Sequence, residues 1–185
     1  MQSAMASSSM LSTRRIVITG VLAAVAILLG ITRLGFIPVP NVSGNATIMH
    51  VPAIIGGVLE GPLVGLLVGG IFGVFSWLQA TSPLFANPLV SVLPRLLIGV
   101  TAAFTYMGLK KTNEYIALLM AGVVGTLTNT ILVLGIAVAL NLLPAAAIPG
   151  IIPQAIAEVI IAAIITVAVI AAWKRMDKGA GKSSV

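Results

Sequence analysis

Long apolar runs, interrupted by a few polar or proline-bearing breaks, organise this chain from end to end. The first, Ile16 to Ile31, follows Arg14 and Arg15 and carries no charge. It is longer than the apolar stretch of roughly 7 to 15 residues in a secretory signal, so it reads as a retained first span. The second, Ala46 to Leu78, contains 33 residues. As one helix it would measure roughly 50 Å against a hydrocarbon core of about 30 Å. It must break, and Glu60-Gly61-Pro62 is the natural place, because glycine ends helices and proline suits the first turn of the next. Span two is then Ala46 to Leu59, rather short, and span three is Pro62 to Leu78. Thr81 to Pro88 reads as a loop, Leu89 to Leu109 as span four and Tyr115 to Leu143 as span five. After a proline-punctuated loop from Pro144 to Pro153, Ile156 to Trp173 is span six. The pattern predicts an all-α membrane protein of six transmembrane helices.

Composition fits that reading and removes others. Only 8% of the side chains are charged, 10 basic and 4 acidic, where soluble domains carry about 25%. A mean hydropathy of +1.17 is too high for a water-soluble domain of this size, whose large surface must be mostly polar. The net charge of +6 does not indicate nucleic acid, because the basic residues form short clusters between apolar runs rather than a stripe on a folded surface. No cysteine is present, which excludes a thiolate nucleophile and a zinc–thiolate site.

The clusters report orientation instead. Six spans place Arg14, Arg15, Lys110, Lys111, Lys174, Arg175, Lys178 and Lys182 on one side, eight of the ten basic residues, and basic residues concentrate on the cytoplasmic side. Both termini are therefore expected in the cytoplasm. The predicted organisation is a disordered N-terminal tail over 1–13, a six-helix domain over 14–175 and a basic cytoplasmic tail over 176–185. Gly61, Gly65, Gly69 and Gly73 form a stripe along span three suited to close internal helix packing. Gly20 and Ala24 form a shorter small-residue pair on span one, with an intermolecular surface as a second reading.

Orientation leaves Arg33, Arg95 and Glu158 unexplained. Arg33 lies at the outer end of span one, where it can snorkel to the interface. Arg95 lies about six residues, or roughly 9 Å, into span four. An arginine at that depth costs up to a few kcal/mol unless it faces protein or water. Glu158 lies at comparable depth on span six, and an internal Arg95–Glu158 salt bridge stands against a ligand role for both. Gln154 shares a face with Glu158, four residues away. Asn129 sits among Thr126, Thr128 and Thr130 near the middle of span five, while Trp77 and Gln79 end span three. Asn45 and His50 fall in or just after the first outer loop. Trp77 also fits an aromatic belt and the asparagines fit turns. The convergence of these groups on the outer half describes an outward-facing pocket. No phosphate-binding glycine loop, HExxH or GxSxG motif is present, so neither ATP hydrolysis, a metal nor a cofactor is expected.

The segment Asn45-Ala-Thr-Ile-Met-His-Val-Pro-Ala-Ile-Ile-Gly-Gly, with Glu60-Gly-Pro-Leu-Val-Gly and Leu93-Pro-Arg-Leu-Leu-Ile-Gly, resembles the substrate-binding S component of energy-coupling factor (ECF) transporters, the vitamin-uptake branch of the ABC superfamily. The resemblance runs from about Arg14 to Arg175. It implies a prokaryotic cell-membrane protein that captures a vitamin from outside, in a pocket lined by spans four to six and closed by outer loops. It also implies a transmembrane coupling subunit and two cytoplasmic ATPases as partners, with toppling in the membrane to release the ligand. The family's Ala-xxx-Ala docking surface corresponds to Gly20 and Ala24, with glycine at the first position. Two arginines beside one acid favour an anionic ligand, since guanidinium pairs with carboxylate bidentately. Pantothenate is the first expectation, and lipoate, biotin or a folate also satisfy the charge. Two other classes remain. A small intramembrane enzyme needs a catalytic partner for His50, Glu158 or Ser76, and a scaffold subunit would use the glycine stripe for permanent contacts.

Overall fold

The computed structural model describes residues 12–38, 45–80 and 82–180, with side chains over 12–37, 46–80 and 82–176. The expected tail over 1–13 lies outside the described residues except for Ser12 and Thr13. Helix α1, Thr13–Ile31, already includes Thr13, and the Ser12 side chain caps it by accepting from the Arg15 N–H. Two short strands follow, β1 (Phe36–Pro38) and β2 (Asn45–Thr47), paired antiparallel with Phe36 opposite Thr47. The fold is thus helical with a small hairpin that the all-α expectation omitted.

Helix α2, Val51–Glu60, is shorter than the expected Ala46–Leu59 span because the residues before it form β2 and a turn. Of its residues, Val51 to Val58 are all buried. It packs against α1, α3, α5, α6 and α7, so protein rather than lipid surrounds it. That is why ten residues, roughly 15 Å of helix, suffice there. Glu60-Gly61-Pro62 breaks the chain as expected, with Gly61 at φ +96° and Pro62 opening α3, Pro62–Gln79.

The expected fourth span is interrupted. A 3-10 turn at Pro83–Ala86 leads into a single-turn helix, α4 (Pro88–Ser91), and then α5 (Leu93–Leu109). Asn113 caps α6, Glu114–Ala139, which ends before Leu143 in a turn with Asn141 at φ +57°. Helix α7, Ile148–Ala180, starts ahead of the expected Ile156 and carries Pro153 inside it. Pro149, Ile152 and Pro153 are exposed, so a carbonyl freed by the proline can be satisfied from outside the bundle. The expected basic tail is helical as far as Ala180, and 181–185 lie outside the described residues. Among the described residues, five helices are long and apolar enough to cross a membrane, and α2 is a shorter sixth apolar helix.

The glycine stripe joins α3 to α5. A Cβ on Gly65 would stand 2.7 Å from the Gly99 carbonyl carbon, and one on Gly69 would stand 2.0 Å from the Arg95 carbonyl oxygen. On Gly73 it would approach Val92 Cα at 3.0 Å. Backbone therefore lies on backbone along this seam. Gly61 instead serves the α2–α3 corner, where nothing lies within 4 Å of a Cβ.

The bundle has two unlike ends. At one, which we call the basic end, Glu60 closes α2 and meets Arg14 Nε at 2.9 Å and Arg15 Nε at 3.9 Å. There too Lys174 of α7 pairs with Glu114 of α6 and donates to the Tyr106 hydroxyl at 2.6 Å. Thr13, Arg14 and Trp173 line one groove, so α1 begins where α7 finishes. The other end carries the β hairpin.

Candidate functional site

Arg95 is placed by a proline. Pro94 has no N–H to give the carbonyl of Val90, four residues back, and Arg95 supplies the missing donor through Nη1 at 2.6 Å. Gly69 and Gly73 press the same stretch of α5 against α3. Arg95 is 5% exposed, and its guanidinium stands over two aromatic rings, 4.9 Å from the Phe85 centroid and 5.8 Å from that of Phe72. Phe85 is held over it because its carbonyl accepts from the Ser91 hydroxyl, while the neighbouring Ala86 carbonyl accepts from Trp77 Nε1 at 3.1 Å. Trp77 thus anchors the 83–86 turn that shelters Arg95.

Glu158 is 6% exposed and does not form the alternative salt bridge, since no ion pair within 4.0 Å joins it to Arg95 among the described residues. Its Oε1 accepts from the Thr47 N–H at 2.8 Å and from Gln154 Nε2 at 3.1 Å. The acid therefore fastens the hairpin to α7, and Gln154 supports it at the expected four-residue spacing.

His50, 1% exposed, directly precedes α2 and points Nε2 at Thr126 Oγ1 of α6, 2.9 Å away. Thr101 of α5 meets Thr128 of α6 at 2.9 Å, which sets the level of one helix against the other. Asn129 follows that contact by one residue and Arg95 precedes it by six, which separates their backbones by roughly 7 to 8 Å along the bundle axis.

A buried polar atom without a partner costs about 1–3 kcal/mol, so such atoms mark where something else belongs. Among the described residues they are His50 Nδ1, Glu60 Oε1, Arg95 Nε, Asn129 Oδ1 and Thr166 Oγ1. Glu60 Oε1 has the Arg14 cation beside it. Thr166 stands apart, about two turns along α7 from Glu158. The other three are residues that the sequence nominated.

Over residues 14–170 the sequence matches the family described as "ECF transporter, substrate-specific component". The chain belongs to this family. The family is one of transport subunits rather than enzymes, and of multi-pass membrane proteins. A segment of 108 residues is 32% identical to the pantothenic acid transporter PanT of Lactococcus lactis subsp. cremoris (strain MG1363), covering 48% of this chain and 54% of that protein. The chain thus spans about half the length of this curated relative. In fold it is similar to a solved structure described as "Structure and mechanism of the S component of a bacterial ECF transporter", with a TM-score of 0.63 and 20% identity over 89% of this chain and 96% of that one.

As an S component, the chain uses its nominated residues unequally. Arg95, His50 and Asn129 bring unpaired buried atoms to the interior, while Glu158, Gln154 and Trp77 hold the hairpin and turn. Arg33 stands in an exposed turn at φ +58°, and Gln79 is exposed at the end of α3. The Asn45 backbone pairs with Pro38, and its side chain lies outside the described residues. Gly20 and Ala24 are exposed on α1, with nothing within 4 Å of a Cβ on Gly20. Sequence reasoning missed Phe72, Ser91 and the Thr47 N–H, and it used Thr126 only as a neighbour of Asn129. Pro94 was the available signal for the Arg95 geometry, and a buried lone histidine, which needs a partner, was the signal for Thr126.

Proposed function

We propose that this S component captures a small carboxylate-bearing vitamin, with pantothenate the first candidate, at the hairpin end of the bundle. The observation that carries the reading is Arg95 Nε, a buried cationic donor with no partner, beside two aromatic rings. A carboxylate is the natural occupant, because charge-assisted bonds to guanidinium are strong and directional. The axial distance from Arg95 to Asn129 suits a molecule of vitamin size, and the likeness to a pantothenic acid transporter supports the ligand choice. Arg33, exposed near the hairpin, adds positive charge along the approach of an anion.

In this reading the chain crosses a prokaryotic cell membrane six times, counting α2, with the basic end and both termini in the cytoplasm. The helical domain over 14–175 delivers ligand inward together with a transmembrane coupling subunit and two cytoplasmic ATPases. The exposed Gly20 and Ala24 face of α1 is the surface on which the coupling subunit docks.

Equilibrium binding of radiolabelled pantothenate to detergent-purified protein tests the site. Arg95→Ala is expected to weaken binding at least about a hundredfold, in line with truncation of one partner of a buried charge pair, while Arg95→Lys retains part of it. Unchanged binding by Arg95→Ala would overturn the reading, and loss of folding in both variants would return the scaffold alternative. Gly20→Leu and Ala24→Leu are expected to bind pantothenate normally yet block uptake in cells with the coupling module. Normal uptake by both would remove the docking surface.

A further inference from the structure

His50 is the single histidine of the chain, and its surroundings define its tautomer. Thr126 Oγ1 stands 2.9 Å from His50 Nε2 and 2.8 Å from the Gly122 carbonyl oxygen. A threonine hydroxyl has one hydrogen to donate. Two oxygens at 2.8 Å with no hydrogen between them repel, so that hydrogen goes to Gly122, and Oγ1 accepts from Nε2–H. A neutral imidazole carries one N–H, which leaves Nδ1 a bare acceptor. Turning the ring over would put carbon where Nε2 meets Thr126, so orientation and tautomer are set together. An imidazolium would bury a second cation within electrostatic range of Arg95, an arrangement that a low-dielectric interior penalises.

Nδ1 is fully buried and unpaired, as are Arg95 Nε and Asn129 Oδ1. Between them they offer a cationic donor, an imidazole acceptor and an amide, with His50 within electrostatic range of Arg95 and about one helical turn from Asn129 through its Thr126 partner. We propose that His50, locked by Thr126, is a specificity-determining residue that accepts a hydrogen bond from a hydroxyl or amide N–H of the ligand whose acid group Arg95 holds. Acids bearing such a donor satisfy Nδ1. Acids whose remainder is hydrocarbon or disulfide leave it buried and empty, a penalty of about tenfold or more in affinity. This inference rests on the proposed acid site and narrows its ligand class to hydroxy or amido acids.

The test compares pantothenate with an analogue whose two hydroxyls are replaced by hydrogen and with one methylated on the internal amide nitrogen, the carboxylate kept in both, using the full-length chain in detergent. At least one analogue is expected to bind about tenfold more weakly. That gap should shrink to under about threefold in Thr126→Val, which frees the ring, and persist in Thr126→Ser. Because there is one histidine, nitrogen NMR of the labelled ring reads the tautomer directly in the wild-type chain, whatever the variants do. Expected are a protonated Nε2, a bare Nδ1, and a shift of the Nδ1 signal on saturation with pantothenate. A protonated Nδ1 in the free protein, a gap that survives Thr126→Val, or an Nδ1 signal unmoved by pantothenate, meaning that water alone pairs with it, would each overturn the proposal. Equal binding by wild type and Arg95→Ala is the separate signature that the acid site itself has failed.

Discussion

The two ends of the bundle hold their charges in opposite ways, mostly half-exposed and paired at one and buried at the other. At the basic end, charge answers charge: Glu60 faces Arg14 and Arg15, and Glu114 faces Lys174. At the hairpin end the buried ions are held by neutral groups. Arg95 is tied to a backbone carbonyl and Glu158 to a backbone N–H and an amide. A cation paired with an anion has its charge already answered, whereas a buried one steadied by a single carbonyl keeps both its charge and spare donors. The difference separates charge that closes the structure from charge that keeps an unused donor, as Arg95 does.

Substitutions break the comparison at different strengths. The largest effect on stability is expected from Gly69→Val, since even a Cβ would stand 2.0 Å from the Arg95 carbonyl oxygen. A loss of about 3 kcal/mol or more is expected from overpacking against backbone, read as a lowered thermal midpoint in detergent. Gly135→Val, where nothing lies within 4 Å of a Cβ, is the neutral control, and equal midpoints would dissolve the seam. Next comes Glu158→Ala, which removes the acceptor of the Thr47 N–H. Hydrogen exchange at that amide should accelerate about tenfold or more, the equivalent of roughly 1.5–3 kcal/mol for a bond to a charged group. Glu158→Gln, which keeps an acceptor, should preserve most of the protection. The smallest effect is expected at the basic end. Lys174→Met breaks a pair whose side chains are 34% and 48% exposed, a change of at most about 1 kcal/mol, with pantothenate affinity unaltered. A large loss of affinity there would erase the distinction between the ends.

Much of the fold was readable because apolar runs of membrane length have few other uses, and because Glu60-Gly61-Pro62 carries its own stop and start signals. The misplaced elements are those in which tertiary surroundings override local rules. Residues 46–50 are apolar enough for a helix, but Ala46 and Thr47 pair with β1, the Thr47 N–H reaches Glu158 and 49–50 turn into α2, none of which side-chain pattern encodes. Residues 148–153 contain two prolines yet are helical, because the exposed start of α7 bears the lost bonds easily. In the site, Arg95 stood out by charge and depth, whereas Phe72 looked like any apolar residue of its helix. The Arg95–Glu158 pairing was attractive from composition, but partners depend on three-dimensional reach, and each ion found a nearer neutral group.

The glycine seam between α3 and α5 has a mechanical consequence. Side chains that interdigitate can slide by changing rotamers, but two backbones in contact have none to change, so these helices behave as one plate with Arg95 mounted on it. Under the proposed acid site, ligand entry and exit would fall to parts held by individual hydrogen bonds: the hairpin, pinned to α7 by Glu158, and the 83–86 turn, pinned to the plate's edge by Trp77 and Ser91. In that proposal the cation would stay in a fixed place while the parts around it move.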